Sequence, residues 1–166
     1  MVSRVIVLAI RGWEFLWTLL IMALIGNMIA TSFAGDPSII NYDMFVSVFS
    51  MLSLFWLILV GWKTDMDVPI ITLTLDTLNT IFFLCGGIAT AAYLGVHSCS
   101  NDNYTLHNSI TNGSVDRETR CREAQASTAF LWFGFAAYAA SLVISFLGSR
   151  GSVNMRGGSR PAMSQV

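Results

Sequence analysis

The chain has 166 residues, of which 54% are hydrophobic and only 11% charged, and its formal net charge is −1 at pH 7. A soluble domain carries about 25% charged residues, so this composition excludes an ordinary water-soluble fold and points to a single-domain membrane protein. With no basic run, zinc-finger spacing or RNA-binding motif, nucleic acid is set aside as a partner.

Four apolar segments reach the roughly 20 residues that a bilayer crossing requires. The first lies near residues 10–30. Its leading run Val5–Ile10 is short, Arg11 interrupts it and no small-residue cleavage site follows, so it reads as an uncleaved anchor helix rather than a signal peptide. The second lies near 44–61. The third, near 68–94, is longer than a crossing needs and is broken by polar residues. The fourth lies near 126–147. None alternates with a period of two, which argues against a barrel. A helix satisfies its own backbone in lipid, so the expected fold class is all-α, a bundle of four transmembrane helices over residues 1–147.

Both termini are expected in the cytoplasm. Arg4, Arg11, Lys63, Arg150, Arg156 and Arg160 then lie inside, against Arg117, Arg120 and Arg122 outside, a six-to-three split of the basic residues. Trp13 and Trp62 fall near the inner boundary and Tyr42 and Tyr93 near the outer one, as interface anchors do. Residues 95–125 form the long outer loop, which holds Cys99 and Cys121 and, between them, the sequons Asn103-Tyr104-Thr105 and Asn112-Gly113-Ser114. A disulfide and glycan acceptors both belong on that side; two free thiols and unused sequons are the alternative. His97 and His107 share the loop with the cysteines, but their spacing fits no known zinc pattern, and no metal or cofactor is expected. The tail, 148–166, is rich in Gly, Ser and Arg and is expected to be flexible. Its terminal Ser164, Gln165 and Val166 fit a docking pattern in which a partner captures the carboxylate.

Asp76 lies eight residues past Val68, about 12 Å along a helix at ~1.5 Å per residue, so it sits in the inner third of the bilayer. A stripe through Thr72, Asp76, Asn79, Phe83, Gly87 and Thr90 follows helical spacing and should face other helices. Arg11 and Glu14, three apart on the first helix, enter at a similar depth. Arg11, Glu14, Asp76 and Asn79 are therefore expected to form one inner-leaflet cluster, which either fixes the packing or binds a lipid. Ala137, Ser141 and Ser145 recur every four residues on the fourth helix, and Gly87 and Ala91 do so on the third. These small faces suit close packing of the two helices, or homo-oligomerisation. Cys85 reads as a small core residue. No phosphate loop, Ser-His-Asp order or paired acid/base carboxylates can be built, so no enzyme is expected.

The strings "LDTLN" (Leu75–Asn79), "HSC" with Asn101, "RCREAQA" (Arg120–Ala126) running into "AFLWF", and the terminal "SQV" occur in this order. With the four spans they resemble the fungal tetraspan proteins of the MARVEL-like superfamily, the non-classical export and eisosome-organising group, over most of residues 4–147. That resemblance implies a non-enzymatic plasma-membrane protein in furrow-like eisosome domains. It implies a part in assembling them with eisosome scaffold proteins, a response to sphingolipid, and a link to secretion of proteins lacking signal peptides. An accessory subunit of a larger membrane transporter or pump is the alternative function, and a small transporter or channel a third.

Overall fold

The computed structural model describes residues 4–33, 35–62 and 69–156, with side chains to residue 148. It contains α1 (Arg4–Ala30), α2 (Ser38–Trp62), α3 (Pro69–Leu94), the short α4 (Asp102–His107) and α5 (Arg117–Arg156). Four of these are long and apolar enough to cross a membrane: Arg4–Ala30, Ser38–Trp62, Pro69–Leu94 and Arg117–Gly148. The element bounds differ from hydropathy in a systematic way. Helices α2 and α5 begin earlier than their apolar windows: α2 buries Ile39, Ile40 and Asp43 ahead of Met44, and the polar first turn of α5 is capped. At the start of α5, the Asp116 carboxylate accepts from the Thr119 backbone N–H at 3.0 Å and from its hydroxyl at 2.7 Å. Those bonds hold the carboxyl below the usual carboxylate range. At its other end α5 runs on to Arg156, through residues expected to be flexible tail. The terminal Ser164, Gln165 and Val166 lie outside the described residues.

The long helices form a ring in which the packed neighbours are α1 with α2, α2 with α3, α3 with α5 and α5 with α1. The diagonal pairs, α1 with α3 and α2 with α5, have no backbone approach among the described residues. Each helix turns a seam with alternating three- and four-residue steps toward the ring's axis, the spacing of left-handed bundles. On α1 the seam is Arg11, Glu14, Thr18, Ile21, Ile25 and Met28. On α3 it is Asp76, Asn79, Phe83, Gly86 and Gly87, Thr90 and Leu94. On α5 it includes Arg120, Ala124, Ser127, Leu131, Gly134, Tyr138 and Ser141, all buried. The apolar core at the middle of the ring includes Ile21, Ile25, Phe83, Leu131 and Tyr138.

Two expected packing residues lie elsewhere. Ala91 is exposed, because the seam of α3 steps from Gly87 to Thr90 and leaves Ala91 turned outward. Cys85 likewise faces outward rather than into the core. Gly87 does pack, with Trp132 of α5 lying 3.4 Å from where its Cβ would be. Among the described glycines the most crowded is Gly134, where an added Cβ would stand 2.3 Å from the fully buried Phe83 ring. Gly134→Ala should therefore destabilise the bundle by about 1–3 kcal/mol through overpacking, read as a lower midpoint of thermal unfolding in detergent. Gly12→Ala, with nothing within 4 Å, is the matched control and should leave the midpoint unchanged or slightly raised.

Candidate functional site

The polar residues of the seams form layers along the axis. At one end, Arg11 of α1 reaches across the ring to α3, its two terminal nitrogens donating to Asp76 Oδ1 at 2.6 Å and Oδ2 at 2.9 Å. This is the bidentate fork geometry that guanidinium and carboxylate favour. The same Nη1 donates to Glu14 Oε2 at 3.0 Å. Two hydroxyls from α5 complete the layer, Ser141 donating to Glu14 at 2.5 Å and Ser145 to Asp76 at 2.7 Å. Arg11 is 3% exposed, and Glu14 and Asp76 are fully buried. Two carboxylates thus share one guanidinium, with serine hydroxyls as the remaining donors. Ser141 and Ser145, selected in the sequence for their size, act through their oxygens.

Asn79 is buried one turn along but does not join this layer. Its amide donates to Ser53 Oγ of α2 at 2.8 Å and to the Leu75 carbonyl at 2.9 Å. Beside it a second cross-ring link runs from Thr18 of α1 to Ser50 of α2 at 2.9 Å, and from Ser50 to Tyr138 of α5 at 2.5 Å. Ala137, also assigned to close packing, is buried beside Tyr138.

Farther along, Asp43 of α2 is fully buried and accepts from Thr90 of α3 at 2.7 Å, its other oxygen lying over Gly86. Asp43 stands one residue before the apolar window of the second span, where hydropathy marks it as a loop residue. The signal was present: Asp43, Ser47, Ser50 and Leu54 continue the same three-and-four spacing.

The opposite end is closed by Arg120, 1% exposed. Its Nε donates to the Ile110 carbonyl at 2.6 Å and Nη1 to the Met28 carbonyl at the end of α1 at 2.5 Å, while Nη2 pairs with Asp36 at 2.6 Å. Cys99 and Cys121 form a disulfide next to it, with Cα atoms 5.6 Å apart. Of the three arginines expected in the outer loop, Arg120 is thus neutralised inside the fold, and Arg122 pairs with Glu118 on the surface. Asn103 and Asn112 are both exposed.

An apolar groove of about 720 Å³ runs along the outside of the bundle between α1 and α5, walled by Trp13, Trp17 and Phe133 and floored by Ala136, Ala137 and Ala140. The ion-paired carboxylates and guanidinium of the Arg11 layer, by contrast, are buried. Among the described residues no group of three or more His, Cys, Asp or Glu side chains is placed to hold a metal, and the two loop cysteines are consumed by their disulfide.

An apolar ring of four spans that buries Arg11, Glu14, Asp43, Asp76 and Arg120 and turns large apolar side chains outward is a multi-pass, membrane-associating bundle. The chain belongs to the MARVEL family: the model of that membrane-associating domain matches residues 4–144. Its relatives include Non-classical export protein 2 of Saccharomyces cerevisiae, 33% identical over 82% of this chain and 77% of that protein. Non-classical export protein 102 of Candida albicans is 34% identical over 82% of this chain and 79% of its own length. The Schizosaccharomyces pombe homolog of Non-classical export protein 2 is 37% identical over 66% of this chain and 59% of that protein. No solved structure matches the chain.

Removing Arg11 would strand two buried carboxylates, so Arg11→Met should cost about 3–5 kcal/mol. Arg11→Met combined with Asp76→Leu should cost less than the sum of the two single changes by more than about 1 kcal/mol. Thermal unfolding of the four proteins in nanodiscs measures both; additive losses would mean that the two residues do not act as a pair.

Proposed function

We propose that this protein is a non-enzymatic organiser of a plasma-membrane domain of the eisosome type, responsive to sphingolipid and connected with export of proteins that lack signal peptides. In this reading both termini are cytoplasmic and the disulfide end faces outward. The observation that carries it is the inversion of polarity. Asp76, Glu14, Arg11, Asp43 and Arg120 are all buried and bonded within the chain, which leaves the lipid-facing surface as the bundle's means of acting on its surroundings. The names of its relatives support the connection with non-classical export.

The Arg11 layer supports the packing role of the cluster over the lipid-binding one. Both oxygens of Asp76 are engaged, by Arg11 and by Ser145, and a lipid headgroup would have to displace a bidentate pair. Lipid is instead met on the outer apolar faces. An accessory subunit of a larger membrane transporter or pump is the second reading. The alanine floor of the α1–α5 groove favours it, since small residues let another helix approach closely. Transport by the bundle itself is disfavoured by its layers: Phe83, Leu131 and Ile21 fill the space between the Arg11 layer and Asp43.

Imaging and native purification separate these roles. Under the organiser reading a fluorescently tagged chain concentrates in stable plasma-membrane patches and purifies with lipid and further copies of itself, and deletion of Ser164–Val166 disperses the patches while the thermal midpoint stays within a degree or two. A stoichiometric large membrane protein in the purified complex would replace it with the accessory reading. Ion flux in reconstituted vesicles, abolished by Asp76→Asn, would replace it with transport.

A further inference from the structure

The outer loop holds two sequons, and the structure distinguishes them. Asn103 lies in α4, whose backbone bonds close within residues 98–108, while the Tyr104 hydroxyl donates to the Leu94 carbonyl at the end of α3 and the Thr105 carbonyl accepts from the Thr111 hydroxyl. The Asn101 side chain accepts from the Tyr104 N–H, and Thr105 N–H donates to the Asn101 carbonyl at 3.0 Å. Asn108 N–H donates to the Tyr104 carbonyl at 3.0 Å, and the His107 ring bonds the Asn103 carbonyl at 2.7 Å. These bonds lie within residues 94–111, so they draw on neighbouring chain alone and need neither α1 nor α5. The chain from Leu94, at the end of α3, to Asn103 is also only nine residues long, at most about 30 Å when extended.

Asn112 stands in the turns that follow, and its surroundings are assembled from distant parts of the chain. The Gly113 carbonyl accepts from the Phe33 N–H at 3.1 Å. The Ile110 carbonyl accepts from Arg120, which also grips Met28 and Asp36. Those bonds require α1, the first loop and the start of α5 together, so this segment orders late, as long-range contacts do. Asn112 is also eighteen residues from Leu94, a reach of about 60 Å when extended. In the finished fold the third residues of both sequons, Thr105 and Ser114, are buried, 1% and 6% exposed. A glycosyltransferase must engage that hydroxyl along with the asparagine, so transfer has to precede closure of the loop by Cys99 and Cys121. The Asn112 side chain is exposed and makes no hydrogen bond to another described residue, which leaves room for a glycan once the loop has closed.

We infer that Asn112 is N-glycosylated during synthesis and that Asn103 is not. In the transfer, the Asn112 amide nitrogen forms a C–N bond to the anomeric carbon of a lipid-diphosphate-linked oligosaccharide. The anomeric C–O bond breaks, the lipid diphosphate leaves as the anion, and one amide proton passes to solvent. The inference rests on the outward placement of the disulfide end given above.

The full chain, expressed in a fungal host, should lose one glycan's worth of mass on treatment with peptide N-glycosidase. Asn103→Gln should keep that shift and Asn112→Gln should abolish it. A shift that survives Asn112→Gln, two shifts, or none would overturn the assignment. Sidedness is read separately by a membrane-impermeant maleimide on intact cells, using Val96→Cys in a Cys85→Ala background, Val96 being fully exposed beside the loop. A labelled but unglycosylated chain overturns the modification and keeps the orientation, whereas an unlabelled, unglycosylated chain overturns both.

Discussion

The pairing of Arg11 with Asp76 spans a diagonal of the helix ring, and much else in the structure follows from that reach. Helices packed only on their neighbours around a square could shear into a flattened arrangement at little energetic expense. Arg11 joins α1 to α3 with two bonds in a fixed plane, and Ser50 with Tyr138 joins α2 to α5 across the other diagonal. Burying charge is unfavourable unless it is paired and fully bonded, so each layer admits very few alternative arrangements. The serines of α5 then have a defined position, because the hydroxyls at 141 and 145 donate to Glu14 and Asp76 beside the Arg11 bonds.

The polar layers also account for the pattern of small and large residues between them. Gly86 and Gly134 both sit where a bulky partner occupies the axis: the Asp43 carboxylate over the first, the Phe83 ring over the second. Small residues on this chain therefore mark the space that a neighbouring large or charged side chain needs, as well as close backbone approach. At the disulfide end the same logic is carried by Arg120, whose three bonds tie a helix terminus, a turn carbonyl and an acidic side chain of the first loop.

The spans were legible in the sequence because each is a length of apolar chain matched to a bilayer, and length survives without knowledge of tertiary contacts. Depth along the helix placed Arg11, Glu14 and Asp76 near one another for the same reason. What was not legible depended on rotation. A one-residue difference in where the seam steps moves Ala91 to the outside and Thr90 to the inside, and hydropathy does not register it. Asn79 shares a face with Asp76 but, one turn farther along, meets α2 rather than α1. Asp43 was lost at a boundary, since a carboxylate just before an apolar run resembles a loop residue until a buried hydroxyl partner is known. Arg117, Arg120 and Arg122 are indistinguishable by composition, and only the fold selects which one is enclosed.

With both diagonals braced, the cross-section of the bundle is a fixed quantity. A helical protein whose spans slide or tilt independently conforms to the thickness of whatever membrane surrounds it. Here tilting one span would break bonds to the other three, so the adjustment falls to the lipid. The molecule then behaves as a stiff inclusion: it sets a local boundary condition on thickness and chain order, and neighbouring copies share that deformation when they stand side by side.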